Sequence, residues 1–300
     1  MGSGCCKQDE TKTSCCCVEE TEFFESLHRD WCQGFRVSNV IFREQTDVQD
    51  LIIFDNPTFG RVMALDGVIQ ITENDEFTYQ EMMAHVPLFA YGNPKKVLII
   101  GGGDGGILRE VLRHRSVEKA VLVDIDRYVI ELSKKYFPNI PKGAFDDPRS
   151  QIVVADGAEY VRTAKETFDV IITDSTDPFG PGEALFTEEF YGNCRALLSP
   201  DGILVNQNGV PFMQPGEIKL TYNRRLPYFK HVSFYTVAVP TYVGGMMALG
   251  WATNSDRYAT LTEESLKAAV GRVEGTFKYY SPAIHLASFA LPPYISKHIC

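Results

Sequence analysis

The stretch "VLIIGGGDGGILREVLRH", residues 97–114, decides the fold, because it joins a short apolar run to a glycine-rich turn and an amphipathic segment. A buried strand, a tight turn and a helix in this order form the first unit of a parallel α/β sheet. A turn of this kind normally holds a phosphate at the helix N-terminus, where free backbone amides attract negative charge. This turn carries Asp104, which would repel a phosphate.

The same alternation continues along the chain. Apolar runs "KVLIIG", "KAVLVD", "QIVVAD", "FDVIITD" and "GILVNQ" are separated by segments of helical pattern at 105–115, 127–136, 157–165 and 187–198. Buried runs of four to six residues between amphipathic helices predict an α/β fold with a parallel, doubly wound sheet. The late runs "HVSFYTVAVPT" and "MMALGWAT" are expected to add an antiparallel edge.

The N-terminal part follows a different pattern. Short β-branched runs, "VSNVIFRE", "VQDLIIF", "GRVMAL" and "GVIQIT", are broken by turn residues and predict a small antiparallel sheet. We therefore divide the chain into a β-sheet domain over 22–75, an α/β catalytic domain over 76–300 and a tail over 1–21. Five of the eight cysteines lie in the first seventeen residues. We expect this cysteine-rich tail to be disordered and to have no catalytic role, with soft-metal binding or acylation near the N-terminus as alternatives.

The amino-acid composition limits the classes of ligand and partner that the protein is expected to bind. Twenty-nine basic against thirty-nine acidic residues give a net charge of −10, which disfavours nucleic acid and anionic membranes and favours cationic ligands. The chain has no run of about 18 apolar residues, so no transmembrane helix is predicted. Scattered single cysteines and the lack of an apolar signal peptide predict a cytoplasmic protein.

Carboxylates follow each of the first four predicted strands. Doubly wound sheets bind ligands beyond the C-terminal ends of their strands, at the point where the strand order reverses. These ends carry Asp104, Asp124 with Asp126, Asp156 and Asp174. A dinucleotide site is the obvious alternative, because Gly101, Gly103 and Gly106 have its spacing and Asp124 follows about twenty residues later. A second alternative makes Asp124 and Asp156 simple helix N-caps.

Asp104 argues against the dinucleotide, because it stands where a pyrophosphate would approach. A nucleoside without phosphates remains compatible, with Asp124 on the ribose hydroxyls and Asp156 on the adenine amine. Adenosine joined to a sulfonium fits, since it is cationic. If the cofactor kept its amino-acid carboxylate, the repulsion from Asp104 at about 4 Å would cost on the order of 1 to 4 kcal/mol. Asp104 therefore selects a decarboxylated, cationic tail.

Four stretches in order resemble the spermidine synthase family, the polyamine aminopropyltransferases. They are "LDGVIQITENDEFTYQEMMAHVPL", "VLIIGGGDGGILREVLRH", "DVIITDSTDPFGPGEALF" and "VPTYVGG", and the resemblance extends from about residue 22 to the C-terminus. It implies a Rossmann-like domain of the methyltransferase type with an N-terminal β-sheet domain. It also implies transfer of aminopropyl from decarboxylated S-adenosylmethionine to putrescine, with methylthioadenosine as by-product. A homodimer or homotetramer is implied, with no metal and no tightly bound cofactor.

The resemblance assigns a role to each matching position. Asp174 is the expected catalytic carboxylate, assisted by Tyr79. The donor is expected to contact Gln49, Gln70, Gly101, Gly103, Asp104, Asp124, Asp156, Gly157 and Pro181. The acceptor is expected to contact Gln80, Asp177, Gln207 and Tyr242, and Trp31 is a weaker candidate for which a core position is the alternative. Many relatives have Glu where Asp124 stands, and the Asp side chain is shorter by one methylene.

Two other functions remain open. Putrescine N-methylation on the same scaffold would use the intact cofactor, and assays with both donors separate the two reactions. A non-catalytic polyamine-binding or metal-responsive regulator would use the cysteine tail as its sensor. The six histidines show no metal-ligand spacing and are expected to be structural or exposed.

Overall fold

The computed structural model describes residues 22–46, 48–176 and 180–299. The cysteine-rich tail over 1–21 lies outside the described residues. The N-terminal part forms a two-stranded sheet, β1 (Glu22–Phe24) and β2 (Gly34–Arg36), and a four-stranded antiparallel sheet. That second sheet has the order β3 (Asn39–Gln45), β4 (Asp50–Asn56), β5 (Gly60–Leu65) and β6 (Val68–Thr72). The predicted small antiparallel sheet is confirmed.

A seven-stranded sheet forms the centre of the larger part. Its strands are β7 (Lys96–Gly101), β8 (Lys119–Asp124), β9 (Ser150–Val154), β10 (Phe168–Asp174), β11 (Leu198–Gln207), β12 (His231–Ala238) and β13 (Met246–Thr253). Their order is β12-β13-β11-β10-β7-β8-β9. The five strands from β11 to β9 are parallel, whereas β13 and β12 are antiparallel. The predicted doubly wound sheet with an antiparallel edge is therefore confirmed.

The helices alternate with the strands. They are α1 (Glu76–Tyr91), α2 (Gly106–Leu112), α3 (Arg127–Tyr136), α4 (Gly157–Thr163), α5 (Glu188–Leu197), α6 (Pro215–Arg225), α7 (Glu263–Val270), α8 (Pro282–Ser288) and α9 (Pro293–Ser296). Short 3-10 helices cover Ala144–Asp146, Gly180–Phe186 and Asp256–Thr260. No helix in the described ranges is both long and apolar enough to cross a membrane.

Helix α1 follows the small sheet and is buried over almost its whole length, from Thr78 to Ala90. A helix that is buried on all sides must satisfy its polar side chains internally. The carboxylate of Glu81 accepts three hydrogen bonds, from the backbone amides of Lys278, Tyr279 and Tyr280 at 2.7 to 2.9 Å. The C-terminal part of the chain therefore fixes α1 in place.

Apolar contacts join the small sheet to the large domain. One face of β4 and β5, including Ile53 and Met63, packs against Val129, Leu132 and Phe137 in and after α3. Full burial of one such side chain contributes about 1.5 to 3 kcal/mol. This packing holds the small sheet over the strand ends of the large sheet, where the predicted site residues lie.

Candidate active site

The site forms where the order of the parallel strands reverses, between β7 and β10. Gly101 ends β7 with a left-handed φ of 79°. A Cβ atom at this position would lie 1.8 Å from the backbone oxygen of Asp174, at the end of β10. Only glycine allows the two strand ends to approach this closely. The glycine turn and the Asp174 carboxylate are therefore brought to the same point.

A cavity of about 360 Å³ opens at these strand ends, between the large sheet and the small one. Thirteen of the fifteen candidate residues line it: Gln49, Gln70, Tyr79, Gln80, Gly101, Gly103, Asp104, Asp124, Asp156, Gly157, Asp174, Gln207 and Tyr242. Asp177 and the side chain of Pro181 lie outside what the structure describes. The structure thus brings the described candidates together, whereas their individual roles stay predictions.

Tyr79 and Asp174 are in direct contact across the cavity. The Tyr79 hydroxyl, on the buried first half of α1, donates a hydrogen bond of 2.6 Å to Asp174 Oδ1. Burial raises the pKa of Asp174 to about 6, although the hydrogen bond from Tyr79 lowers it and the charge of Asp124 raises it further. Burial and the Asp174 charge also raise the pKa of Tyr79 well above its ordinary value. Tyr79 therefore stays a protonated donor, and Asp174 can accept a proton near neutral pH.

Asp104 lies in the glycine turn, and its Oδ1 accepts hydrogen bonds from the Gly106 amide at 2.7 Å and from Gln80 Nε2 at 3.0 Å. Burial raises the pKa of Asp104 well above its ordinary value, and the charge of Asp174 raises it further. A cation bound between these two carboxylates would reverse that effect, because opposite charge stabilises the ionised form. The pair is therefore suited to an ammonium or sulfonium ligand.

Asp124 and Asp156, the proposed nucleoside contacts, differ in their backbone bonds. Each carboxylate oxygen of Asp124 accepts one backbone hydrogen bond, from the amide of Gly103 at 2.9 Å and from that of Asp126 at 2.8 Å. Asp124 does not cap a helix. Burial raises its pKa to about 6 against the lowering effect of these two amides. Asp156 does cap α4, accepting from the amides of residues 158 and 159, and still lines the cavity. The N-cap alternative therefore holds for Asp156 and fails for Asp124.

The remaining candidates close the cavity from other elements. Gln49 donates from Nε2 to Asp126 Oδ2 at 2.8 Å and so links the small sheet to the start of α3. The Tyr242 hydroxyl donates to the backbone oxygen of Gln70 at 2.9 Å, and its ring lies 6.0 Å from that of Tyr79. Gln207 ends β11 and is buried.

Sequence reasoning missed two acidic residues that line the cavity, Glu25 and Asp66, and it noted Asp126 as a strand-end carboxylate without assigning it a role. Asp66 lies in "LDG", the turn before β6, where the strand-end pattern did not extend. Glu25 lies in a segment that gave no signal. The core alternative for Trp31 is wrong, because its side chain is 48% exposed. Trp31 is not among the residues that line the cavity, and its contact with the acceptor stays a prediction. Trp31 belongs to an irregular segment between β1 and β2, where no alternation sets side-chain direction.

The charged side chains of the described residues that line the cavity are all acidic. Seven carboxylates line it, from Glu25, Asp66, Asp104, Asp124, Asp126, Asp156 and Asp174, and no lysine, arginine or histidine of the described chain joins them. Within the described ranges, no three His, Cys, Asp or Glu side chains are grouped to hold a metal ion. Such a cavity favours organic cations and disfavours phosphates and free carboxylates.

Comparisons with known proteins agree with this geometry. Residues 76–262 match the family model described as the spermine/spermidine synthase domain, and residues 23–73 match the spermidine synthase tetramerisation domain. Polyamine aminopropyltransferase of Klebsiella pneumoniae subsp. pneumoniae is 54% identical over 90% of this chain and 95% of its own length. That of Salmonella arizonae is 52% identical over 93% of this chain and 97% of its own.

Two crystal structures are similar over nearly the whole chain. Spermidine synthase in complex with the transition state analogue AdoDATO has a TM-score of 0.88, at 45% identity over 94% of this chain and 95% of its own. Spermidine synthase from Thermotoga maritima has a TM-score of 0.87, at 45% identity over 94% of both chains. With the strand-end carboxylates and the two matched domains, these similarities show that the chain belongs to the spermine/spermidine synthase family.

Proposed function

We propose that the protein is a polyamine aminopropyltransferase that transfers the aminopropyl group of decarboxylated S-adenosylmethionine to putrescine. The products are spermidine and 5′-methylthioadenosine. The observation that carries this proposal is a cavity lined by seven carboxylates with no basic side chain of the described chain among them. Both proposed reactants are cations, and each would supply the positive charge that the cavity lacks.

The donor is proposed to bind at the ends of β7, β8 and β9. Its aminopropyl ammonium would lie against Asp104, and its ribose hydroxyls against Asp124. Its adenine would lie near Asp156 and Gly157. Charged hydrogen bonds of this kind are stronger than neutral ones, so Asp104 would discriminate against the intact cofactor, whose carboxylate it would repel. Gln49 and Gln70 would cover the donor from the small sheet.

The acceptor amine must lose a proton before it can attack. A primary amine has a lysine-like pKa near 10, so only about one molecule in a thousand is deprotonated at neutral pH. We propose that Asp174 takes this proton while Tyr79, bonded to it at 2.6 Å, fixes its orientation. The amine lone pair then forms the N–C bond at the methylene beside sulfur. The C–S bond breaks, and its electron pair stays on sulfur as the neutral thioether.

The other end of the acceptor needs a fixed counter-charge. Asp177 was predicted for this purpose and lies outside the described residues, so that role stays a proposal. Glu25 is a further carboxylate on the cavity wall, from the N-terminal segment. Gln80, Gln207 and Tyr242 would enclose the acceptor chain between these charges.

The proposal extends to the domain boundary, the oligomeric state and the cellular location. The boundary near residue 75 is supported by the change from the antiparallel sheet to α1. A homo-oligomer is supported by the match of residues 23–73 to a tetramerisation domain, and we propose a tetramer with a dimer as the alternative. We propose a cytoplasmic enzyme, because the two cysteines among the described residues, Cys32 and Cys194, are both free.

The test is product analysis with a panel of donors and diamines. Purified protein is incubated with decarboxylated S-adenosylmethionine, or with the intact cofactor, and with putrescine, cadaverine, agmatine or spermidine. We expect spermidine and methylthioadenosine from the decarboxylated donor and putrescine. Methylated putrescine from the intact donor would instead establish the N-methyltransferase. No product from any pair would favour the binding regulator.

A further inference from the structure

Asp75 stands at the N-cap position of α1 and does not cap the helix. Aspartate is among the best N-caps, and a side-chain cap contributes about 1 kcal/mol. Here the side chain accepts no hydrogen bond from the amides of the first turn. Asp75 is only 5% exposed, and its carboxylate is bonded to two threonines and not to a cation. The group is therefore used for something other than helix stability.

The carboxylate instead connects two distant segments. Its Oδ1 accepts the hydroxyl of Thr72 at 2.6 Å, and its Oδ2 accepts both the amide and the hydroxyl of Thr241 at 3.0 and 2.6 Å. Both threonines are buried, at 0% and 1% exposure. The Thr241 backbone oxygen also accepts from Gln33, which donates to Glu25 on the cavity wall. We call Thr72, Asp75 and Thr241 the threonine bridge.

The threonine bridge lies directly behind one end of the cavity. Tyr242 and Val243 follow Thr241, and Gln70 and Ile71 precede Thr72 by one or two positions; all four line the cavity. The Tyr242 hydroxyl reaches across to the Gln70 backbone. Of the proposed donor contacts, Asp124 ends β8 and Asp156 precedes α4, and no hydrogen bond joins either residue to the bridge. Gln70, the proposed donor contact nearest the bridge, lies in β6, which pairs with β5.

We infer that Asp75 is a positioning residue that fixes Tyr242 and the segment 239–245 at the acceptor end of the cavity. This inference rests on the proposed function for the identity of the acceptor. Loss of the Asp75 charge leaves one amide oxygen for three donors, so the segment 239–245 loses part of its attachment. The acceptor site then loosens while the donor site keeps its own supports.

The test compares Asp75→Asn with Glu81→Gln as a matched control. Glu81 lies on the same helix, is equally buried and also accepts three hydrogen bonds, yet it does not line the cavity or touch the bridge. Thr241→Val, which removes a single donor, is the second variant in case Asp75→Asn folds poorly. Three measurements are made: hydrogen exchange of residues 239–245, diamine affinity in the presence of methylthioadenosine, and KM for each substrate.

We expect Asp75→Asn to speed exchange in 239–245 and to weaken diamine binding about tenfold, with a matching rise in acceptor KM and a donor KM within about twofold. Thr241→Val should act in the same direction by about threefold. Glu81→Gln loosens the helix that carries Tyr79 and Gln80, so it should lower Tm and kcat without speeding exchange in 239–245. Unchanged exchange, or equal changes in both KM values, would overturn the inference. If the wild type transfers no aminopropyl group, the proposed function fails, and exchange with diamine binding still decides the role of Asp75.

Discussion

Buried carboxylates have opposite electrostatic environments in two regions of the molecule, the cavity and the contact between helices α1 and α2. In the cavity, Asp104 and Asp174 have raised pKa values, and no described basic side chain lines the site. Between α1 and α2, Arg109 binds Glu76 and Glu110 at 2.7 to 3.1 Å.

Glu110 makes two further contacts in this helix pair. It accepts from Arg113 at 2.5 Å and contacts His85 at 2.8 Å, and His85 in turn contacts His114. Burial opposes ionisation of Glu110, yet His85 and the two arginines together lower its pKa.

The two regions differ in the source of the positive charge that pairs with their carboxylates. Between α1 and α2, arginine and histidine side chains of the same chain pair with the buried glutamates, and these pairs stabilise the fold. The cavity leaves its acids without internal cations, so their electrostatic energy is released only when a cationic ligand arrives. Variants in the two regions should therefore affect different measurements.

The largest effect should come from Asp174→Asn. The amide cannot take the amine proton, so turnover should fall by about a thousandfold. Donor affinity should stay within about threefold, because the donor contacts lie on other residues. Steady-state rates and calorimetric donor binding test this, and near-normal turnover of the purified variant would show that another group is the base.

Glu110→Gln should lower the free energy of unfolding by about 3 kcal/mol, because it removes the buried carboxylate that pairs with Arg109 and Arg113 and contacts His85. Chemical denaturation measures this, and kcat/KM of the folded variant should stay within about twofold. The matched control is Glu118→Gln, whose side chain is 69% exposed in its pair with Lys95 and should change stability by less than about 1 kcal/mol. Equal losses in the two variants would contradict the comparison.

Asp104→Asn should weaken binding of the decarboxylated donor by about thirtyfold and that of methylthioadenosine by less than about threefold. Methylthioadenosine lacks the aminopropyl ammonium, so it serves as the internal control. Calorimetric titration with both compounds is the measurement. Equal weakening of the two would mean that Asp104 supports the turn and does not select charge.

Lowering the pH should reduce activity by about tenfold between neutral pH and pH 5, because Asp174 and Asp124 have pKa values of about 6. Protonation of Asp174 removes the base, and protonation of either carboxylate removes negative charge from the cavity. Profiles of kcat/KM against pH test this, and a flat profile down to pH 5 would contradict it.

The free energy of unfolding should depend on pH in the opposite sense to activity, because Asp174 and Asp124 contribute more stability at lower pH. Their folded pKa values lie above the ordinary 3.8, so the folded state binds more protons between about pH 4 and 6, and their contribution to stability falls as pH rises through that window. Glu110, with a lowered pKa, contributes stability above its ordinary value of 4.5, and this is lost as the pH falls toward its folded pKa.

The parallel sheet could be predicted because each buried strand has a continuous apolar run and each of the first four runs ends in a glycine or an acid. Gly101, Asp104, Asp124, Asp156 and Asp174 were found by that logic, since parallel strands bring their C-terminal ends to one edge. Tyr79, Gln80, Gln207 and Tyr242 came only from the family resemblance. No periodicity distinguishes a cavity-facing tyrosine from a core tyrosine.

Other features depend on tertiary contacts that no local pattern encodes. Glu25 reaches the cavity from an irregular segment, whereas Trp31 in the same segment does not. The missing cap at Asp75 follows from a bond to Thr241, 166 residues away. Aspartate is favoured at an N-cap, so no local pattern indicates that this side chain bonds to a distant threonine instead.

The bonds of Glu81 to residues 278–280 also set an order of events during synthesis. Helix α1 carries Tyr79 and Gln80, yet its anchor is almost two hundred residues further along the chain. A nascent chain that has not yet passed residue 280 can assemble the small sheet, but it cannot lock this helix in place. We therefore expect the substrate-binding geometry to form only after residues 278–280 have been synthesised.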